Sequence, residues 1–279
     1  MSNVVIFEEI MCDNGKKIGI ATLNSERSLN ALSGEMVDAL YPKLLEWHKS
    51  SEISVVILQG AGDKAFCAGG DIVHLYNEMQ NNVGEFAPAI EEYFTKEYKL
   101  DFLIHTFNKP FIVWGNGIVM GGGLGMMVGA SHRVVTETSR IAMPEISIGL
   151  YPDVGGTWFL NRMPDNCGLF LGLTGASINA SDAKYTGLAD FFILNDKKCM
   201  LIDSLKAINW GDTIALNHDK LSTVMKDLEV RSNASLPISH IRAQKSLIDK
   251  VTNFDNINDI VEAIVTVDVD DKWFNKAQK

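Results

Sequence analysis

Positively charged residues are scarce in this chain. Its 279 residues include 25 Lys and Arg against 35 Asp and Glu, which gives a formal net charge of −10. Nucleic acids and anionic membranes are bound by clusters of Lys and Arg. The charge balance therefore argues against both as partners. A small phosphorylated ligand stays compatible with it, because such a ligand needs only a few local cations.

Cysteines and long apolar runs are also sparse. The four cysteines (Cys12, Cys67, Cys167 and Cys199) are far apart and form no C-x-x-C pair, which argues against a zinc site or a disulfide framework. No 18 apolar residues follow one another, so we expect no membrane span. A strand-like run, VVIFEEI, begins at residue 4 without a basic and apolar leader before it. The expected location is the cytoplasm.

The order of hydrophobic patterns predicts an α/β fold. Strand-like runs alternate with helix-like runs over the first 200 residues, which favours crossover connections. The strand candidates are residues 4–10, 18–23, 54–59 and 111–118. Ser33 is a predicted N-cap, and a long amphipathic helix is expected over 87–107. Beyond residue 195 the patterns are helical, at 199–208, 213–230, 236–250 and 256–276. We therefore predict a core over 1–200 and a helical C-terminal portion over 201–279.

Two glycine-rich segments carry the strongest functional signal. They are FCAGGD at 66–71 and MGGGLG at 120–125, and each lies between a β-like run and a helix-like run. Peptide N–H groups at such turns are expected to be unpaired, and glycine allows a substrate oxygen to approach them. Two turns brought together would form an oxyanion hole. The acidic stretch PEISIGLYPDVGG at 144–156 adds carboxylates, and the combination indicates acyl chemistry.

These motifs, in this order, resemble the enoyl-CoA hydratase/isomerase (crotonase) superfamily. The resemblance extends from about residue 4 to at least 200 and includes KAFCAGGDI at 64–72, NKPFIVWGNGIVMGGG at 108–123 and MPEISIGL at 143–150. It implies a crotonase-like spiral of ββα units that presents two peptide N–H groups to a thioester carbonyl. Within the superfamily the chain is most similar to 3-hydroxyisobutyryl-CoA hydrolases. The features that indicate this are Gly-Gly-Asp at 69–71, Lys-Glu-Tyr at 96–98, Asp153 after Met-Pro-Glu, and Gly125 where hydratases carry a catalytic glutamate.

The resemblance implies a set of site residues. The peptide N–H groups of Ala68 and Gly122 correspond to the oxyanion hole, and Glu145 and Asp153 to the catalytic carboxylates. Glu97 corresponds to a further substrate-binding residue. Asp153 would accept a hydrogen bond from a 3-hydroxyl group or orient water. Glu145 would attack the thioester or activate water as a general base, and the sequence leaves these two roles open.

Each of these residues also has a purely structural interpretation. The glycines would then only form tight turns, and Glu145 would be a surface residue of a strand with its apolar neighbours turned inward. Asp153 would stabilise a turn through backbone hydrogen bonds, and Glu97 would belong to a charged helix face. The family pattern favours the functional interpretation for all of them.

Several neighbouring residues are expected to be structural. Asp71 is a predicted helix N-cap, and Cys67 a packed side chain in the first glycine turn. Methionines 120, 126 and 127 are expected to line the acyl pocket or the core. No histidine lies beside a serine or cysteine motif, so the sequence predicts no catalytic triad.

The function expected from the resemblance is hydrolysis of a short branched 3-hydroxyacyl-CoA, with 3-hydroxyisobutyryl-CoA in valine breakdown as the expected substrate. CoA would be part of the substrate, with no metal or redox cofactor, and a homo-oligomer is compatible with this expectation. One alternative is an enoyl-CoA hydratase or isomerase, against which Gly125 argues. Another is a catalytically weak acyl-CoA-binding protein, because members of the hydrolase family usually continue by several helices beyond a segment such as 271–276.

Overall fold

The computed structural model describes residues 3–82 and 87–279. Within them it has nine strands: β1 (Val5–Met11), β2 (Lys17–Leu23), β3 (Ile53–Gly60), β4 (Ala65–Cys67), β5 (Phe111–Gly115), β6 (Ile118–Met120), β7 (His132–Val135), β8 (Arg140–Ala142) and β9 (Phe191–Phe192). The larger sheet has the order β1-β2-β3-β5-β7-β9, and the smaller one β4-β6-β8.

Helices connect and cover these strands. They are α1 (Gly34–Lys49), α2 (Ile72–Asn81), α3 (Pro88–His105), α4 (Gly122–Gly129), α5 (Gly156–Leu160), α6 (Cys167–Thr174), α7 (Ala180–Thr186), α8 (Lys198–Ala207), α9 (Ile214–Val230), α10 (His240–Ala243), α11 (Lys245–Thr252), α12 (Ile257–Thr266) and α13 (Lys272–Ala277). Short 3-10 helices occupy Glu26–Ser28, Glu145–Ile148, Asn195–Lys197 and Asn233–Ser235.

The chain winds between the two sheets in repeated steps. Strand β3 leads into β4, β5 into β6, and β7 into β8, so each step places one strand in the larger sheet and the next in the smaller. Successive strands within each sheet pair in parallel, and β1 with β2 is antiparallel. The helices α2 and α4 follow β4 and β6. The predicted α/β fold, a spiral of ββα units with a helical C-terminal portion, is confirmed.

One strand prediction was wrong. The run 111–118 is not a single strand but is divided between β5 in the larger sheet and β6 in the smaller. The chain turns at Gly117, whose φ is +64° and whose added Cβ would overlap the Lys64 carbonyl. Hydrophobicity does not reveal this turn because the strands on both sides of it are largely buried.

Both faces of the larger sheet are buried. Ala21, Leu23 and Val56 pack into a core shared with α1 and α3. Ile20 and Ile57 face the opposite side, in a second core that includes residues of α8 and α9. Parallel sheets are usually covered in this way, which explains why their strands appear as continuous apolar runs.

Helix boundaries agree closely with the sequence patterns. The Ser33 hydroxyl accepts a hydrogen bond from the Met36 N–H at 3.2 Å, and the Asp71 carboxylate accepts one from His74 N–H at 3.1 Å, so both predicted N-caps are confirmed. The four C-terminal helical segments are also present, the third of them interrupted at Gln244 and the fourth divided between α12 and α13 at residues 267–271. The division of the chain at residue 200 stays a prediction. No helix of the described ranges has the length and apolar character of a membrane span.

Candidate active site

The first glycine turn follows β4 and is fixed by its contacts with residues 29–32. The Leu32 N–H donates to the Gly69 carbonyl at 2.8 Å, and the Asp71 N–H donates to the Leu32 carbonyl at 3.1 Å. The buried Tyr93 hydroxyl donates to that same carbonyl at 2.8 Å. Helix α3 and the loop before α1 therefore hold this turn from two sides.

The second glycine turn follows β6 and opens into α4. Gly121 has φ +49°, and a Cβ on it would lie 3.0 Å from Glu145 Oε1. A Cβ on Gly122 would overlap Oε1 of Glu97. Two carboxyl groups therefore approach this backbone so closely that only glycine leaves them room. Gly122 is the first residue of α4, so its peptide N–H has no acceptor within the helix.

The two turns meet. A Cβ on Gly121 would lie 3.6 Å from the Cα of Gly69. A cavity of about 140 Å³, called the acidic pocket here, is lined by all five site residues expected from the sequence: Ala68, Glu97, Gly122, Glu145 and Asp153. Segments that are up to 85 positions apart in the sequence thus converge on one small space.

Of the two proposed oxyanion donors, the Ala68 N–H is already hydrogen-bonded. The Ala68 N–H donates to the Leu29 carbonyl at 3.1 Å, which differs from the expectation that it is unpaired. Leu29 has φ +55° at the end of a 3-10 turn, a tertiary feature that the motif does not encode. The role of Ala68 stays a prediction. It requires this N–H to leave the Leu29 carbonyl for the thioester oxygen, or to donate to both oxygens at once.

Glu145 is buried although its apolar neighbours are exposed. It begins a 3-10 helix in which 7% of Glu145 is accessible, against 45% of Ile146 and 56% of Ile148. This is the reverse of the surface arrangement that strand alternation would give. Its Oε2 atom is inaccessible and has no hydrogen-bond partner in the described part of the chain. Burial, with a smaller contribution from the charge of Asp153, raises the pKa of Glu145 to about 7.

Of Lys96, Glu97 and Tyr98, Glu97 was the residue expected at the site, and it lines the acidic pocket. Lys96 turns away and pairs with Asp38 at 2.9 Å. Glu97 is only 2% exposed, and burial together with the charges of Asp153 and Glu145 raises its pKa to about 8. The Tyr98 hydroxyl donates to Asp153 Oδ2 at 2.7 Å, so a side chain of α3 positions the Asp153 carboxylate.

Asp101 belongs to the same acidic group and was not predicted. It lies one helical turn after Glu97, and neither of its carboxyl oxygens has a hydrogen-bond partner among the described residues. Burial, followed by the charges of Glu97 and Asp153, raises its pKa well above the usual value. The four-residue spacing from Glu97 was the only signal of it in the sequence, and that spacing is equally typical of a solvated helix face.

The residues expected to be structural agree with that interpretation. Cys67 is buried and its pKa is raised to about 12 by burial, so it stays a protonated thiol. Met126 and Met127 lie in the core. Gly125 packs against Val154, and a Cβ on Gly125 would lie 2.5 Å from the Val154 Cβ. Within residues 3–82 and 87–279, no group of three or more His, Cys, Asp or Glu side chains is arranged to hold a metal ion.

Known proteins share this sequence and fold. The family model described as enoyl-CoA hydratase/isomerase matches residues 18–279. A mitochondrial 3-hydroxyisobutyryl-CoA hydrolase from Danio rerio is 37% identical over 262 residues, 91% of this chain and 64% of the relative. The small ribosomal subunit protein mS47 from Neurospora crassa is 34% identical over 261 residues, 92% of this chain and 51% of the relative. The crystal structure of a carnitinyl-CoA dehydratase from Mycobacterium thermoresistibile superposes with a TM-score of 0.78 at 31% identity, covering 99% of this chain and 74% of that one. The chain thus spans 64% and 51% of the length of the two curated relatives.

Proposed function

The chain belongs to the enoyl-CoA hydratase/isomerase family, and from this premise we propose that it hydrolyses a short, branched 3-hydroxyacyl-CoA. The proposed reaction converts 3-hydroxyisobutyryl-CoA and water to 3-hydroxyisobutyrate and free CoA, as a step of valine breakdown. The name of the Danio rerio relative supports this substrate. A cytoplasmic location, and the absence of any cofactor apart from the CoA of the substrate, stay predictions.

The observation that carries the proposal is the position of the Glu145 carboxyl. It is buried, one of its oxygens has no partner among the described residues, and the other lies beside the second glycine turn. A carboxyl group in such surroundings is poorly solvated and has a pKa near neutrality, which suits it to react with an acyl group. The same position is difficult to explain by stability alone, because an unsatisfied buried carboxyl destabilises a fold.

The proposed chemistry follows from the geometry of the acidic pocket. The thioester oxygen receives hydrogen bonds from the Gly122 N–H and from the Ala68 N–H, which stabilise the negative charge that develops on attack. Glu145 then either attacks the carbonyl carbon, so that the C–S bond breaks and water hydrolyses the resulting anhydride, or removes a proton from the attacking water. In both routes the water that is consumed supplies the proton that the departing sulfur takes up, and the sulfur leaves as free CoA.

Two further carboxyl groups would select and orient the acyl group. We assign Asp153 as the acceptor for the 3-hydroxyl. The exposed hydrogen bond from the Tyr98 hydroxyl to Asp153 Oδ2 holds the carboxylate in position for this role. Glu97 keeps its proton at neutral pH because its pKa is about 8, so it can donate a hydrogen bond within the pocket. A substrate without the 3-hydroxyl would leave Asp153 without that partner.

The experiment that tests this proposal is an acyl-CoA panel followed by thiol release and by mass spectrometry of the acyl product. We expect release of CoA from 3-hydroxyisobutyryl-CoA and a loss of at least about a hundredfold in Glu145→Gln. Glu91→Gln is the matched control, because Glu91 is an exposed glutamate of α3. Hydrolysis that persists unchanged in Glu145→Gln would contradict the proposed role.

Hydration of an enoyl-CoA is a second candidate, and one observation favours it. Glu97 and Glu145 line the same pocket, and two carboxyl groups can hold a water for addition to a double bond. The position where hydratases carry a glutamate is nevertheless Gly125, and Val154 occupies the space beside it. Consumption of crotonyl-CoA without thiol release in the same panel would establish hydration instead.

A non-catalytic role is the third candidate, supported by the ribosomal protein mS47 among the relatives. Such a role requires only that the fold be kept and does not require the unsatisfied carboxyl of Glu145. Tight binding of acyl-CoA without any turnover, unaffected by Glu145→Gln, would favour this candidate over both enzymes.

A further inference from the structure

A second, larger cavity adjoins the acidic pocket. Its volume is about 590 Å³, against about 140 Å³ for the acidic pocket. We call it the apolar cavity after its hydrophobic side chains, which include Phe102, Val128, Val154, Trp158, Phe159 and Leu188; Asp101, His105, Arg133 and Arg162 also line it. The reaction proposed above uses none of these residues, and Phe102 and Trp158 leave large apolar surfaces exposed, at 68% and 61%.

Tyr98 stands at the boundary between the two spaces. Its side chain lines the apolar cavity, whereas its hydrogen-bond partner Asp153 lines the acidic pocket. The next residue, Val154, again lines the apolar cavity. The 2.7 Å bond between Tyr98 and Asp153 therefore joins α3 to the loop before α5 across the passage from one space to the other.

An aromatic face of α3 runs along this passage. Phe94 lines the acidic pocket, Tyr98 lies one turn later, and Phe102 lines the apolar cavity a further turn on. The rings of Phe94 and Tyr98 are in contact, with centroids 5.8 Å apart. Eight helical positions span about 12 Å, so the face forms a continuous apolar wall of that length. Along this wall Tyr98 stands between Phe94 of the acidic pocket and Phe102 of the apolar cavity.

We propose that Tyr98 determines the acyl chain length that the site accepts. With the Tyr98–Asp153 bond in place, the acyl group is confined to the acidic pocket and must be short. Without the phenol ring, the two spaces join, and the distal carbons of a longer acyl chain bind in the apolar cavity against Phe102 and Trp158. This inference rests on the proposed function only in taking an acyl-CoA as the ligand.

The test uses S-alkyl-CoA thioethers, which have no scissile carbonyl, so that binding is measured without catalysis. Dissociation constants of butyl-, octyl- and dodecyl-CoA are determined by calorimetry for the wild type, Tyr98→Ala and Phe102→Ala. We expect no gain in affinity with chain length in the wild type. In Tyr98→Ala each added methylene should tighten binding by about fourfold until the cavity is filled. Phe102→Ala widens the apolar cavity without opening the passage, so it should keep the wild-type profile.

Tyr98→Phe separates the ring from the hydrogen bond. Phenylalanine keeps the aromatic ring but cannot donate a hydrogen bond to Asp153. Octyl-CoA should therefore bind with an affinity between those for the wild type and Tyr98→Ala. This conservative variant also gives a result if Tyr98→Ala fails to fold. A chain-length profile of Tyr98→Phe equal to that of the wild type would overturn the inference, and so would the wild-type profile in folded Tyr98→Ala.

The outcome is separable from that of the proposed function. If the thioethers bind with the expected profiles and no thioester is hydrolysed, the hydrolase proposal fails and the role of Tyr98 stands. If hydrolysis occurs and Tyr98→Ala keeps the wild-type profile, only the role of Tyr98 fails. Absence of binding of every thioether would contradict the common premise that an acyl-CoA occupies the acidic pocket.

Discussion

The protonation state of Glu145 links its surroundings to its chemistry. Both proposed roles, nucleophile and general base, need the ionised carboxylate, whereas burial favours the neutral acid. A pKa of about 7 means that roughly half of the free protein carries the reactive form at neutral pH. Glu97 has the opposite requirement, since its proposed donor role needs the proton that it holds up to about pH 8.

These two requirements predict a bell-shaped dependence of kcat/KM on pH. The activity should rise with pH through about 7 as Glu145 ionises, and fall above about 8 as Glu97 loses its proton. The two groups interact, so the limbs report the pair. Steady-state rates between about pH 3.5 and pH 9.5 would test this, with Glu97→Gln expected to lose the alkaline limb. A single acidic limb near pH 4.5, the ordinary value for glutamate, would show that burial does not control the reaction.

A second prediction at this scale concerns Asp153. Asp153→Asn keeps an oxygen that can accept the Tyr98 hydrogen bond but removes the negative charge offered to a 3-hydroxyl. A hydrogen bond to a charged group contributes about 1.5–3 kcal/mol, so kcat/KM for 3-hydroxyacyl-CoA should fall about ten- to a hundredfold. Isobutyryl-CoA, which lacks the hydroxyl, is the reference substrate. Equal losses for the two substrates would remove the proposed hydroxyl contact.

The elements that were predicted well are those with strong local signals. Helix α3 extends over Pro88–His105, close to the expected 87–107, because its apolar residues recur at helical spacing. The short strands β4, β6 and β8 were not predicted, since three residues carry no periodicity. The glycine turns were located because glycine marks them in the sequence. The hydrogen bond from the Ala68 N–H to the Leu29 carbonyl was not predicted, because it depends on a 3-10 turn that is distant in the sequence.

Contact between α4 and the loop before α5 provides a test at the scale of elements. In Gly125→Ala, the new Cβ would lie 2.5 Å from the Val154 Cβ, and such overpacking destabilises a fold by about 1–3 kcal/mol. Gly172→Ala is the matched control, because Gly172 is also inside a helix, α6, and its Cβ would meet only ordinary contacts from 3.4 Å. That variant should be neutral or slightly more stable.

Val154→Gly should restore the stability of Gly125→Ala. Val154 is a β-branched residue with φ +41°, a strained conformation that glycine adopts freely. The double variant removes the overlap as well as this strain, so a double-mutant cycle from urea denaturation should show a favourable coupling of more than about 0.5 kcal/mol. Additive effects of the two substitutions would mean that the loop moves away at no cost, and Gly125 would then not be explained by packing.

The whole molecule concentrates acidic groups in one place. Glu97, Glu145 and Asp153 line the acidic pocket, and Asp101, one helical turn after Glu97, lines the neighbouring apolar cavity. None of these four carboxyl groups takes part in the salt bridges formed among residues 3–82 and 87–279. The family motif identified three of the four. The missing one, Asp101, and the raised pKa values of Glu97, Asp101 and Glu145 follow from how α3 packs against α4 and the loop at 153, which a single sequence does not reveal.

This concentration predicts how stability depends on pH. Folded Glu97 keeps its proton up to about pH 8, whereas in the unfolded chain it loses the proton near its ordinary pKa of 4.5. Unfolding between these pH values therefore releases a proton, so the contribution of Glu97 to the free energy of unfolding is largest below pH 4.5 and declines as the pH rises to 8. Glu145 and Asp101 act in the same direction because their pKa values are also raised.

Glu97→Gln should consequently flatten the stability profile of the protein. Glutamine cannot ionise, so its free energy of unfolding lacks the decline that Glu97 causes in the wild type. The difference in free energy of unfolding, variant minus wild type, should be about 2–4 kcal/mol larger at pH 9 than at pH 5. Urea denaturation at a series of pH values measures this difference, and the exposed Glu91→Gln again serves as control, with a profile parallel to that of the wild type. If Glu97→Gln also runs parallel to the wild type, the carboxyl must be solvated in the folded protein. The acidic pocket would then be open to water, and the raised pKa values that support the proposed chemistry would lose their physical cause.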